Sequence, residues 1–508
     1  MTHEVAGGSP CRPAAAIFGR MQMPLPPIIQ GGMGVAVSSW PLARAVSLRD
    51  QLGVVSGTGI DTVVTRRLQL GDPGGHLRRA FDAFPLRDVA ERIWDRYYVA
   101  GGKAADAPFK SKPVPTLKMS SALLDLVVIS NFAEVFLAKA QHAGLVGINL
   151  LEKIQLPNLA ALFGAMLAKV DVVLMGAGIP RSIPAVLDRF AAGEPAELKI
   201  DVAGALPGEE FHTRFDPRRY LRDAATTLRR PRFLAIVSSS TLALTLARKS
   251  SGQVDGFIVE GSSAGGHNAP PRGPMQLDAG GEPVYGLRDS PDLEQIRAIG
   301  RPFWLGGSYG DAAKLAQARA LGASGIQVGT AFAFCEESGM SAALKQSVLS
   351  ASRAGRVKVF TDPHASPTGF PFKVLQVAGT VSEPEVFAAR ERICDLGYLR
   401  ECYREADGTV GYRCPGEPLE DFLRKGGSES DTVGRKCVCN GLVATVDYGQ
   451  VRRNGELEPP LVTAGDDAAQ VHQFLKPGRD SYTADDVLDS LLGVSPEATA
   501  QPASATIR

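Results

Sequence analysis

Residues 302–334 read PFWLGGSYGDAAKLAQARALGASGIQVGTAFAF, and this stretch indicates the fold. An apolar run, Pro302–Gly306, is followed by a helical segment, Gly310–Leu321, and then by a second apolar run, Gly325–Gly329. Near-continuous apolar runs of this length are typical of parallel strands that are covered on both faces. The stretch therefore predicts one strand–helix–strand unit of an α/β protein.

The same alternation extends from about residue 27 to residue 335. It predicts eight strands: Pro27–Gln30, Gly53–Gly57, Leu145–Leu151, Asp171–Gly176, Phe233–Ser238, Asp255–Glu260, Pro302–Gly306 and Gly325–Gly329. Further helical segments lie between them, at Ala133–His142, Leu159–Lys169 and Thr241–Lys249. Eight such units in sequence favour a closed (β/α)8 TIM barrel over an open doubly wound sheet. A dinucleotide-binding fold would require G-x-G-x-x-G in the first turn, where this chain has GGMGVA at residues 31–36.

Three long excursions interrupt the alternation: Asp61–Met119, Gly193–Arg232 and Asn268–Arg297. The second contains Leu198–Val202, which could be an additional strand, so the strand count is least secure there. Loops of this length are uncommon without a role, which favours a lid or a substrate pocket over surface decoration or an oligomer contact. We therefore expect long insertions on the rim of the barrel.

The chain has 508 residues, which exceeds what one hydrophobic core usually serves. We expect a loosely ordered N-terminus at 1–23, a barrel at 24–350, a smaller extension at 351–494 that packs on the barrel, and a disordered tail at 495–508. The net charge of +1, without a run of five like charges, argues against nucleic-acid binding and against a polybasic membrane anchor. With no signal peptide or membrane span evident, we expect a cytoplasmic protein.

Two glycine-bearing strand ends near the close of the barrel predict a phosphate site. Gly306 and Gly307 follow the seventh strand, and Gly329 and Thr330 follow the eighth. The loops after the last two strands of a barrel often hold phosphate, because glycine N–H groups and a nearby helix N-terminus attract an anion. The alternative is that these are ordinary turn glycines without a ligand. That would explain one such loop, but two glycine-bearing loops after consecutive strands favour a phosphate site.

The sixth strand ends in VEGSSAGGH at residues 259–267. Gly265 and Gly266 leave room for a flat ring system against the backbone. His267 stands at the strand end, where an imidazole is suited to proton transfer. The first two strands end in similar turns that face the same rim, and these contribute Gly32, Met33, Gly34, Gly57 and Thr58 as candidate cofactor contacts.

Five of the seven cysteines lie in the C-terminal part: Cys394, Cys402, Cys414, Cys437 and Cys439. Four thiolates from this set could hold zinc or an iron–sulfur cluster. Paired C-x-x-C knuckles are missing, however, so buried free thiols are favoured and no metal ligand is assigned.

Four ordered motifs resemble the nitronate monooxygenase family, formerly called 2-nitropropane dioxygenases, and the related FMN-dependent enoyl-acyl-carrier-protein reductases. They are Pro27–Met33, Ala264–His267, Leu305–Gly307 and Gln327–Thr330. The resemblance covers about residues 24–340. It implies FMN, with its ring near Gly32 and Met33, its phosphate at Gly306, Gly307, Gly329 and Thr330, and Gln327 and Gly265 lining the cofactor. It also implies that His267 lies near the flavin as a base or a substrate-positioning group.

The resemblance leaves the reaction open. A nitronate monooxygenase oxidises a nitronate or nitroalkane with O2, whereas an enoyl-thioester reductase uses a nicotinamide. A third alternative is a barrel subunit that binds a phosphorylated ligand without catalysis. The sequence departs from the compact family members at Ser308-Tyr309, where an aliphatic residue is usual, and in its extra segments. We expect the substrate to be a small molecule or a group bound to a carrier. Lys110 and Lys112 are candidate contacts for an anionic carrier. The protein could also form a homo-oligomer.

Overall fold

The computed structural model describes residues 24–221 and 227–494. The N-terminus at 1–23 and the tail at 495–508, for which we predict loose order and disorder, lie outside the described residues.

Eight parallel strands form the central barrel. We number them β1 to β8: Ile28–Gln30, Gly53–Ser56, Val146–Leu151, Val172–Gly176, Arg232–Val237, Gly256–Glu260, Phe303–Gly306 and Gly325–Val328. From β2 to β8 each strand pairs with its sequence neighbours, and β1 pairs with β8 through Ile28 and Ile326. A parallel bridge between Ile29 and Leu52 joins β1 to the start of β2 and closes the ring. All eight predicted strands and the (β/α)8 fold class are confirmed.

The helices of the alternating units surround the barrel: Trp40–Leu48, Ser121–Lys139, Gln155–Leu167, Ile183–Ala191, Ser240–Lys249, Leu293–Arg297, Ala312–Ala320 and Ala342–Arg353. The helix predicted at Ala133–His142 begins earlier, at Ser121, where Ser120 caps it by accepting a hydrogen bond from the Leu123 N–H. This helix is apolar on every side, so no periodicity marks its start. It is long and apolar enough to cross a membrane, but 78% of its most apolar window is buried inside the protein, as in a core helix.

Alternate side chains of the strands fill the barrel interior, as the two-residue period of a strand requires. The resulting core consists of Ile29, Leu52, Val54, Val172, Leu174, Leu234, Ile258 and Trp304, all of them almost fully buried. Trp304 also donates from Nε1 to the carbonyl oxygen of Pro26 at 3.0 Å. The interior is therefore packed, which leaves the strand ends as the place for a site.

The excursions have structures of their own. The first contains the helices Ile60–Gln69, His76–Asp82 and Arg87–Tyr97, with the 3-10 turn Pro73–Gly75. In the second, Ala196–Ile200 pairs antiparallel with Phe211–Phe215, and Val202–Ala203 pairs with Glu401–Arg404. The possible strand at Leu198–Val202 thus lies outside the barrel, and the count of eight stands. The remaining 3-10 turns of the chain are Pro217–Arg219, Leu287–Asp289, Glu429–Thr432 and Asp466–Phe474.

The C-terminal segment packs on the barrel mouth. Its strands pair as Val359–Asp362 with Phe372–Leu375 and as Glu401–Arg404 with Val410–Arg413. Its helices are Pro384–Ala389, Leu419–Arg424, Val438–Ala444 and Ala484–Leu492, and the helix Ala342–Arg353 crosses the predicted boundary at residue 350. The Gly266 N–H donates to Thr463 Oγ1 at 2.9 Å, and the Lys373 N–H donates to the Gly266 carbonyl at 2.9 Å. The extension therefore fixes the loop that follows β6.

Candidate active site

A cavity opens at the carboxyl ends of the strands, and we call it the central cavity. Most of the residues singled out in the sequence line it: Gly32, Met33, Gly34, Thr58, Gly265, Gly266, His267, Gly307, Gln327, Gly329 and Thr330. Gln327 lies in β8, and the others follow β1, β2, β6, β7 and β8, because parallel strands in a barrel bring their carboxyl ends to one rim.

Gly57 and Gly306 do not line the cavity. A Cβ at Gly57 would lie 2.7 Å from Ile148 Cδ1, and one at Gly306 would lie 3.1 Å from Glu260 Cγ. Side chains of neighbouring strands fill the space beside these two glycines, and their role as cofactor contacts stays a prediction.

Close backbone approach explains the glycines that do form the wall. A Cβ at Gly32 would lie 2.2 Å from the Cβ of Asn149, and a Cβ at Gly265 would lie 2.8 Å from the carbonyl carbon of Ala464. Ser308 adopts a positive φ of 55° in the same wall. Such strain is uncommon outside glycine and tends to occur at functional sites.

His267 stands at the edge of the cavity with its ring fixed on two sides. Its Nε2 is hydrogen-bonded with Ser366 Oγ at 2.6 Å, and its ring meets the Phe372 ring edge-on, with centroids 4.8 Å apart. Burial, and secondarily the charge of Lys153, lower the pKa of His267 to about 3. The imidazole is therefore neutral at physiological pH, which makes it a weak base and suits it to hydrogen bonding and positioning.

Glu260, the last residue of β6, is a second titratable group on the same wall. Gln327 Nε2 donates to its Oε1 at 2.7 Å. Burial raises the pKa of Glu260 to about 7. A carboxyl group whose pKa lies near the operating pH can give or take a proton more readily than His267 can. Glu260 is not among the site residues predicted from the sequence, although a charged residue at the end of a buried strand is a signal for one.

The end of the central cavity where a phosphate is predicted to bind contains hydroxyl groups and one carboxyl group. Ser308 Oγ is buried there and has no hydrogen-bond partner among the described residues. The Gly465 N–H donates to Thr330 Oγ1 at 3.0 Å. Asp467 also lines this end, and burial raises its pKa. Ionised Asp467 would repel a phosphate, and its raised pKa reduces that conflict.

A second cavity adjoins the first, and we call it the side chamber. It lies at the ends of β4, β5 and β6, and the two cavities share Ala177, Ile236, Glu260 and His267 in their walls. The third excursion contributes Asn268, Ala269, Pro270, Arg272, Tyr285 and Asp289 to the side chamber. No residue of the first excursion, all of which the structure describes, lines either cavity. The pocket role expected of the excursions thus applies to the third.

The extension supplies part of the central cavity that sequence reasoning missed: Phe372, Tyr398, Leu399, Val438, Cys439, Leu442, Thr463, Ala464, Gly465 and Asp467. These residues carry no local motif, so no signal in the sequence places them here. Within residues 24–221 and 227–494, no group of three or more His, Cys, Asp or Glu side chains is arranged to hold a metal ion. Cys394, Cys402, Cys414, Cys437 and Cys439 are free thiols.

The two lysines considered as carrier contacts differ in their surroundings. Lys112 is buried, and its Nζ lies 2.8 Å from Asp61 Oδ2, so it is not available at the surface. Lys110 donates from Nζ to the carbonyl oxygen of Arg96 at 2.9 Å and remains exposed.

One family model matches part of the chain. Residues 199–364 match the family model of nitronate monooxygenase. Three of the four sequence motifs lie inside this range, and the match confirms there the resemblance that the motifs predict. Among curated proteins, none matches the chain.

Several solved structures are similar over nearly the whole chain. FabK from Thermotoga maritima is 16% identical, with 92% of each chain covered and a TM-score of 0.45. A nitroalkane oxidase from Streptomyces ansochromogenes is 15% identical, with 92% of this chain and 95% of that chain covered and a TM-score of 0.45. The enoyl reductase domain of MlnA from Bacillus amyloliquefaciens is 13% identical, with 92% and 94% covered and a TM-score of 0.42.

Proposed function

We propose that this protein is an FMN-dependent oxidoreductase that oxidises a nitronate or nitroalkane with O2. The observation that carries the proposal is the central cavity, where glycine-walled strand ends surround His267 and Glu260. The match of residues 199–364 to the nitronate monooxygenase model supports this reaction over the enoyl-thioester reductase alternative.

The residues of the central cavity fit FMN. A flat ring needs walls of backbone, and Gly32 and Gly265 line the cavity with theirs, because Asn149 and Ala464 occupy the space where their side chains would be. A flavin also needs polar partners at its edges, and buried polar atoms without a hydrogen-bond partner in the described chain are found on Asn149, Gln327 and Ser308. Unsatisfied buried polar groups cost free energy, so their presence in one cavity supports a bound polar ligand.

Gly32 and Met33 would hold the ring, and Gly307, Ser308, Gly329 and Thr330 would hold the phosphate. When bound, FMN supplies the electron-accepting chemistry that side chains lack. His267 remains neutral and positions the substrate by hydrogen bonding, while Ser366 fixes the orientation of its ring. Glu260 can hold or release a proton close to neutral pH. Residues of the extension line the cavity and so reduce the access of water to a bound substrate.

An absorption spectrum of the purified protein tests the proposal. We expect flavin bands, and we expect an anaerobic nitronate to bleach them while a reduced nicotinamide does not. The reverse pattern would favour the enoyl-thioester reductase. The absence of flavin bands, even after incubation with FMN, would refute the proposal and favour a non-catalytic barrel.

A pair of variants tests the role of His267. His267→Ala should retain FMN and lose most turnover, because the group that positions the substrate is missing. His212→Ala, in the hairpin outside both cavities, is the matched control and should keep full activity. Unchanged turnover in His267→Ala would remove His267 from the mechanism.

A further inference from the structure

The side chamber contains a lysine whose ammonium group has no hydrogen-bond partner among the described residues. Lys153 follows β3 and lines the chamber together with Phe370. Its Nζ is buried and has no hydrogen-bond partner in the described part of the chain. Its Nζ lies over the face of the Phe370 ring.

This arrangement is unfavourable for the folded chain by itself. A buried ammonium that gives up its hydration without gaining hydrogen bonds costs free energy, and contact with one aromatic face recovers only part of the loss. Two other buried basic groups have carboxylate partners, Lys112 with Asp61 and Arg390 with Glu458. The unused donors of Lys153 therefore indicate a ligand that is absent from the protein alone.

The position of the chamber indicates what this ligand is. His267 and Glu260 form the wall between the chamber and the central cavity. A group held by Lys153 would therefore lie next to the proposed reacting centre. An ammonium with free donors prefers an anionic oxygen. In both candidate reactions an oxygen close to the reacting carbon is negatively charged, either in a nitronate or in the enolate that forms on a thioester.

We propose that the side chamber binds the anionic oxygen of the substrate through the Lys153 ammonium. The ligand class is a small planar oxyanion conjugated to the reacting carbon. The inference rests on the proposed function, because it assigns the substrate end of the same site.

The charges around Lys153 set the pH range of binding. Burial lowers the pKa of Lys153 to about 7, and Glu152 opposes this shift. The pKa of Glu260 is raised to about 7, and His267 is neutral. As the pH rises through 7, Lys153 loses its positive charge and Glu260 gains a negative one, so an anion binds less tightly. Other charged groups around the chamber are Arg272 and Asp289 of the third excursion.

Calorimetric titration with butanoate tests the proposal, because a carboxylate has the planar shape and the charge of a nitronate but does not react. Its neutral counterpart, butanamide, is the control ligand. Lys153→Met should weaken butanoate binding about tenfold or more, the loss expected for one charge-assisted hydrogen bond. Butanamide binding should not change. Lys249→Met, at an exposed position outside both cavities, should bind butanoate as the unaltered protein does.

Thermal unfolding gives a second readout. Lys153→Met should unfold at a higher temperature, because it keeps the packing on Phe370 and removes the buried charge. Butanoate affinity that is equal in Lys153→Met and the unaltered protein would overturn the proposal, as would no butanoate binding by the unaltered protein. A loss of folding in Lys153→Met would also overturn it, since the ammonium would then be structural. Calorimetry does not require flavin, so a failure of FMN binding would be seen separately in the absorption spectrum.

Discussion

Replacement of Glu260 by glutamine changes one property of the site and leaves its shape intact. Glutamine has the size of glutamate, and its side-chain oxygen can still accept the hydrogen bond that Gln327 Nε2 donates at 2.7 Å. What disappears is the ability to ionise. Glu260→Gln therefore measures how strongly the cavity resists a negative charge at this position.

The magnitude follows from the pKa of Glu260. Burial raises it from 4.5 to about 7. Because the folded-state pKa lies above the unfolded one, this carboxyl contributes fully to stability below pH 4.5, and the contribution is lost as the pH rises to 7. At about 1.4 kcal/mol per pH unit, the loss reaches up to about 3 kcal/mol. Glu260→Gln avoids it, so its advantage over the unaltered protein should grow from near zero at pH 4.5 to about 3 kcal/mol at pH 8.

Urea unfolding of the flavin-free protein at pH 4.5 and pH 8, followed by circular dichroism, measures this difference. Glu391→Gln, at an exposed position, is the control and should behave alike at both pH values. An advantage of Glu260→Gln that does not increase with pH would refute the reasoning. It would show that Glu260 keeps an ordinary pKa, and the proton-transfer role would then have no physical basis.

Three further changes test neighbouring parts of the site. Burial and Lys153 lower the pKa of His267 to about 3, so between pH 7 and pH 5 the imidazole takes up a proton in the unfolded protein but not in the folded one. Over this range the unaltered protein should therefore lose about 2 kcal/mol more stability than His267→Gln, as measured by urea unfolding at the two pH values. Gly32→Ala should lower the free energy of unfolding by about 1–3 kcal/mol, because its Cβ would overlap that of Asn149. A free energy of unfolding equal to that of the unaltered protein in urea would contradict this close approach. Asp467→Asn removes a buried carboxyl group whose pKa is raised. It should therefore raise the melting temperature at pH 7.5 and tighten FMN binding, as measured by a fluorescence titration. Weaker FMN binding would mean that the carboxylate itself holds the cofactor.

Local patterns predicted much of the candidate site. The glycines at the ends of β1, β6, β7 and β8 could be found because a turn and a close approach need glycine at the position itself. His267 could be found because it ends a strand, and barrel topology brings all strand ends to one rim. Gly57 and Gly306 satisfy the same local pattern, yet they pack between strands. Which glycine faces the cavity depends on the neighbouring strand, which local sequence does not specify.

The sequence by itself determined the eight strands, their parallel order and the rim on which the site lies, because a strand covered on both faces needs a continuous apolar run and its end needs a turn. Only the tertiary structure decided the chemistry of the rim. It brings Ser366 to His267, about a hundred residues away in the chain, and Phe370 to Lys153, about two hundred residues away. It also places Asp467 at the end of the central cavity where the phosphate is predicted to bind. Burial is the main cause of the pKa shifts of His267, Lys153 and Asp467, and residues of the extension contribute to that burial.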